Sequence, residues 1–97
     1  MTNEEIWNIG LEERTDELSK LQSEYDRLDV ECRKAEFEKD MYARLRDVNN
    51  AMIYKQKFSE KYEKCSRASE KLTKQKNALE NEISVLKKEI YYINSLM

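Results

Sequence analysis

"RDVNNAM", residues 46–52, lies at the midpoint of a 97-residue chain. On either side the sequence reads as long, charged, amphipathic helix. The fold turns on whether the helix runs through Asn49 and Asn50 or the chain bends back there. Two asparagines cost a helix only about 1 kcal/mol relative to alanine, which strong flanks absorb. Neither glycine nor proline marks a corner: proline is absent and the one glycine is Gly10. After a helix end, glycine is the usual residue and asparagine the second choice.

Working outward, two seven-residue repeats flank the quoted stretch. In the first, Leu11, Leu18, Tyr25 and Cys32 take position a, and Arg14, Leu21, Leu28 and Ala35 take position d. The next a would be Lys39, where the apolar phase decays. In the second, a holds Tyr62, Ser69, Lys76, Ile83, Ile90 and Met97. Position d holds Phe58, Cys65, Leu72, Leu79, Leu86 and Ile93. "LENEISVLKKEI" puts isoleucine at a and leucine at d, the choice that favours a parallel two-stranded coil.

These features predict an all-α protein with two candidate arrangements. The favoured one is a long coiled-coil helix over 11–97, parallel and two-stranded in its C-terminal half, with a register break around 37–58. Such a helix of about 85 residues would measure about 130 Å. A short capped segment, 1–10, precedes it, because Thr2 and Glu5 have the spacing of a capping box. The alternative is an antiparallel helical hairpin turning at 47–50.

Three observations favour the hairpin. Residues 1–49 hold 14 acidic and 8 basic side chains, and residues 50–97 hold 6 and 10. Folding the halves together would pair opposite charges. Pairing Leu11 with Leu86, Leu18 with Leu79, Tyr25 with Leu72 and Cys32 with Cys65 layers a on d and puts the fold point between Val48 and Asn49. Shifts of seven residues layer equally well. Finally, Glu17, Glu24, Glu31 and Glu38 all occupy position g. In a parallel homodimer Glu24 would face Asp29, and Glu31 would face Glu36, which is unfavourable. The same glutamates suit a more basic partner helix.

Composition bounds the chemistry. Charged residues make up 39% of the chain, a signature of long helices and coiled coils. Histidine, the commonest general base and metal ligand, is absent. Cys32 and Cys65 are spaced for neither zinc nor a redox pair. With a net charge of −2, general attraction to nucleic acid is not expected. No segment has the ~20 apolar residues of a membrane span. No catalytic residue, metal site, cofactor or small-molecule substrate is expected, and the chain reads as non-enzymatic. A reducing cytoplasmic or nuclear setting is the expected one.

Three surfaces stand out. The helix–helix seam comprises Leu18, Leu21, Leu28, Leu72, Leu79, Ile83, Leu86, Ile90 and Ile93. Ile6, Trp7 and Ile9 form a short apolar cluster suited to a partner's groove or to the chain's own helix. Lys57, Lys61, Lys64, Lys71 and Lys74, with Arg67, make a cationic face for an anionic partner or for the acidic first half. The heptads resemble in composition those of tropomyosin-like, spindle and tethering coiled coils. The expected role is to dimerise, or to pair with another helical protein, and so to join or space parts of a cytoskeletal, chromosomal or vesicle-tethering assembly. A compact hairpin acting as an assembly or chaperone-like subunit is the second reading, and an anion-binding adaptor the third.

Overall fold

The computed structural model describes residues 1–96. The described residues form two helices, α1 (Asn3–Val48) and α2 (Met52–Leu96), joined by residues 49–51. The all-α class holds, and of the two arrangements the antiparallel hairpin is the one formed. No helix continues through the midpoint, so the unbroken 11–97 coil with a parallel C-terminal half does not form. The observed link overlaps the expected bend at 47–50.

The link works without glycine because no non-glycine residue in it needs a positive φ. Asn49 Oδ1 accepts a hydrogen bond from the Ala51 amide at 3.1 Å. This side chain-to-backbone bond two residues on is how asparagine competes with helix. The Ala51 carbonyl then accepts from the amides of Tyr54 and Lys55, opening α2.

The other end of α1 begins where the capping box places it. Thr2 Oγ1 accepts from the Glu5 amide at 3.2 Å, and the Thr2 amide donates to Glu5 Oε2 at 3.3 Å. The helix then passes straight through Gly10, so residues 3–10 are the first turns of α1 and 1–10 is not a separate segment. An added Cβ at Gly10 would meet Arg14 Nη1 at 3.5 Å, an ordinary contact. Gly10→Ala is therefore expected to stabilise the chain by up to about 1 kcal/mol. Thermal unfolding should show a midpoint raised by several degrees; a lowered midpoint would mean that α1 bends there.

The chain divides into two compact units, each containing a stretch of both helices. The first is Met1–Arg27 with Asn77–Met97, and the second is Leu28–Lys76. In the first, Ile83 and Leu86 are buried, and Leu11, Leu18, Leu21, Leu79, Ile90 and Ile93 are half-buried. In the second, Leu28, Cys32, Ala35 and Ser69 are buried, with Leu72, Tyr42, Phe58 and Tyr62 half-buried around them. Among the described residues every assigned a and d position is at least half-buried; Met97 lies outside them. Yet no side chain is fully buried. With only two helices in contact, even the best-sheltered of the described seam residues, Leu28, keeps 4% of its surface open to water.

The register lies about one heptad from the expected one. Arg14 Nε meets Glu89 Oε2 at 3.2 Å in the first unit. In the second, Asp29 meets Lys76 at 2.6 Å and Glu38 meets Cys65 Sγ at 3.8 Å. These partners lie six to eight residues further along α2 than a fold point at Val48–Asn49 implies. Two causes act together. Three linking residues need room that the expected register did not leave. The shifted register also brings a carboxylate to each of the seam cations Arg14 and Lys76. Cys65 sits opposite Glu38, six residues from Cys32 and thus about 9 Å along the helix. That offset exceeds the reach of a disulfide, so the Cys32–Cys65 pairing is not available.

The break expected around 37–58 falls at the link 49–51, where the chain turns and the heptad phase shifts by two residues; within each helix the seam changes chemistry but keeps its phase. Lys39, Tyr42, Arg46 and Asn49 continue the a/d spacing and are half-buried. On α2, Lys55 and Phe58 do the same. Long polar and aromatic side chains take the place of leucine there.

Candidate interaction surfaces

In the second unit the seam cations find aromatic rings. Lys39 Nζ lies 5.8 Å and the Arg46 guanidinium 5.2 Å from the centre of the Tyr62 ring. Lys61 Nζ lies 5.4 Å from the Tyr42 ring, which stacks on Phe58 at 6.3 Å between centroids. A cation over an aromatic face contributes about 0.5–1 kcal/mol at an exposed site. Lys39 and Arg46 are one heptad apart and share Tyr62. That spacing was present in the sequence but is invisible when Lys39 is read as the end of a repeat.

Asp29 is the hub of a second polar group. Lys76 Nζ donates to its Oδ1 at 2.6 Å and Arg33 Nη2 meets its Oδ2 at 2.6 Å. The Lys76 hydrogen bond, helped by the charges of Arg33 and Lys76, holds the Asp29 carboxyl below its usual value against the opposing effect of desolvation. A carboxyl lowered on folding adds stability above its unfolded pKa, near 3.9, and loses it as pH falls through the lower folded value. The hairpin is thus expected to lose stability below about pH 4. Asp29→Asn should shallow that acid limb in denaturant titrations; an unchanged limb would remove Asp29 from the account.

Cys65 carries no sign of nucleophilic activation. Desolvation comes first and the adjacent Glu38 carboxylate second in pushing its thiol above the usual value. Reactive cysteines need the opposite environment. Among the described residues no group of three or more His, Cys, Asp or Glu side chains is placed to hold a metal ion. No helix among them is long and apolar enough to cross a membrane.

None of the seam residues named from sequence is exposed. Leu28, Ile83 and Leu86 are buried; Leu18, Leu21, Leu72, Leu79, Ile90 and Ile93 are half-buried. The cluster Ile6, Trp7 and Ile9 is exposed on the first turns of α1. Trp7, 37% exposed, lines a shallow groove with Asn3 and Glu4 of α1 and Leu96 of α2. Lys57, Lys61, Lys64, Lys71 and Lys74 are all exposed on α2.

Those lysines share a unit with residues 28–50 of α1, and the more acidic residues 1–27 belong to the other unit. Residues 1–27 carry eight acidic and three basic side chains, a net of −5, and share a unit with residues 77–97, net −1 with three acidic and two basic. Residues 51–76 carry three acidic and eight basic, a net of +5, and share a unit with residues 28–50, net −1 with six acidic and five basic. The bend therefore does not neutralise the two halves against each other, contrary to the expectation from charge asymmetry. It leaves one unit at −6 and the other at +4.

Sequence reasoning missed a stripe on the outer face of α1. Val30, Phe37, Met41, Leu45 and Val48 follow one another at helical spacing, and all but the half-buried Met41 are exposed. Phe37 is 67% exposed and Val48 76%. The irregular-looking apolar residues of the middle supply this stripe. In the first unit Glu17, Leu21, Asn81, Glu82, Val85 and Leu86 line an open groove where α1 and α2 meet, with Tyr92 and Leu96 exposed further along α2.

Fold and surfaces together define an antiparallel two-helix coiled coil with apolar and charged faces turned outward. Comparison with protein-family models, with curated proteins and with solved structures found no match.

Proposed function

We propose that this chain is a non-enzymatic structural subunit: a helical hairpin that joins or spaces parts of a larger assembly by docking its outer faces against other helices. The observation that carries this reading is where the apolar side chains lie. The seam fully buries none of them, while Phe37, Leu45 and Val48 on α1 and Val85, Tyr92 and Leu96 on α2 face water. Apolar residues grouped in stripes, as opposed to scattered singly, mark surfaces that other proteins cover. Amphipathic helices recognise one another through such i, i+4, i+7 anchors. A cytoskeletal, chromosomal or vesicle-tethering assembly would use a hairpin of this kind as a spacer or joint.

The test is the size of the native particle. In extract from the source cells the chain is expected to elute well above its own 11.7 kDa. Phe37→Glu with Val48→Glu should return it to the size of the free chain. A native chain that already runs as a free hairpin, or one that turns over a substrate when pure, would overturn the reading.

A further inference from the structure

We infer that the partner covering these faces is a second copy of this chain, docked antiparallel so that the acidic unit of each copy lies against the basic unit of the other. This rests on the proposed role as an assembly subunit and names its first partner.

Charge provides the first argument. One unit carries eleven acidic and five basic side chains, and the other nine and thirteen. Copies aligned in parallel would set −6 against −6 and +4 against +4. Copies aligned antiparallel set −6 against +4 twice, so the contact is reciprocal, as a two-fold interface requires.

The second argument is the flank on which the charges fall. In an antiparallel pair the g positions of the two helices border the same side, as Glu17 and Glu82 do along the groove of the acidic unit. Glu13, at position c, lies on the same flank. In the basic unit that flank carries Lys57, Lys64 and Lys71 at position c, all exposed. The stripe of Phe37, Met41 and Leu45 runs down the same side of α1. Each unit thus offers apolar residues bordered by an excess of one sign: Lys20 and Arg27 stand among five glutamates at c and g positions of the acidic unit, and Glu31 and Glu38 among five lysines at those of the basic unit, so the excesses are opposite.

Area is the third. The chain exposes 7595 Å², whereas a folded monomer of its mass exposes about 5,900 Å². The surplus is about twice the ~800 Å² that each partner contributes to an ordinary stable interface. Self-association of hairpins into a four-helix bundle is the packing that covers such faces.

Light scattering and sedimentation equilibrium on the purified full chain test this, with circular dichroism to show that each variant keeps the wild-type helicity. Wild type is expected to be a dimer that weakens as salt rises, since salt screens opposite charges at a rim. Reversing the basic flank (K57E/K64E/K71E) or the acidic flank (E13K/E17K/E82K) should each weaken the dimer by about tenfold or more in Kd. Combining all six changes should restore it, because the signs are again opposite. A dimer strengthened by salt, or one indifferent to single-flank reversal, would overturn the antiparallel arrangement. A wild-type chain that stays monomeric when pure would overturn self-docking altogether. In that case a large native particle in extract would leave the assembly role standing with a different partner.

Discussion

Leu86→Ala is expected to destabilise the hairpin by about 2–5 kcal/mol, the range for removing a buried leucine side chain beyond Cβ. Leu86 is one of five buried apolar residues among those described. It sits at position d of α2 in the acidic unit, where Ile83 is the other buried apolar side chain and Leu11, Leu18, Leu21 and Leu79 are half-buried. A large globular core spreads such a loss over many contacts. A two-helix seam cannot, because each layer is one residue from each helix. Since small domains move by roughly 4–8 °C per kcal/mol, the thermal midpoint should fall by ten degrees or more. Lys88→Ala, two positions on and exposed, is the control and should change stability by less than about 0.5 kcal/mol. If both substitutions cost the same, the seam is not what holds the helices together.

The second large effect concerns topology. With Asn49→Ala and Asn50→Ala, the helix gains about 1 kcal/mol of propensity and the Asn49-to-Ala51 hydrogen bond that shapes the link is lost. An unbroken helix can rebuild each seam layer with a second chain, because two antiparallel copies form every layer twice. That is domain swapping through a short hinge. The expected product at high concentration is a pair of straight, exchanged helices. Labels attached at Lys34 and Arg67 report it: both belong to the basic unit in the hairpin, where the bend brings them near each other. On one straight helix they stand 33 residues apart, about 50 Å. With labelled chain diluted into unlabelled chain, a separation that stays short would show that the bend is set by tertiary packing and not by the asparagines.

Much of the architecture was legible along the chain. The heptads put Leu28, Ile83 and Leu86 inward because a side chain's direction on a helix follows from its number alone. The capping box at Thr2 and Glu5 is a contact over three residues, and local contacts can be read locally. The candidate surfaces were harder. The lysine face is visible as a sequence pattern, but whether acidic residues answer it depends on which stretch of α1 lies alongside. The apolar residues between Phe37 and Val48 looked like a lapse in the seam. They are a second face of a helix whose seam continues through Lys39, Tyr42 and Arg46.

The sequence by itself determined that the chain is helical, where α1 starts, and which side of each helix is sheltered, since all three depend on neighbours within a turn or two. Only the tertiary structure decided that the helix stops at Val48, which heptad faces which, and that the acidic and basic stretches fall in different units. A bend at two asparagines is a matter of about 1 kcal/mol, and a bent chain and a pair of straight ones bury the same seam layers, so residues 46–52 alone do not show which forms. A seven-residue repeat also looks the same after a shift of seven, so its register has to be chosen by the linker and by pairs such as Asp29 with Lys76 and Arg14 with Glu89.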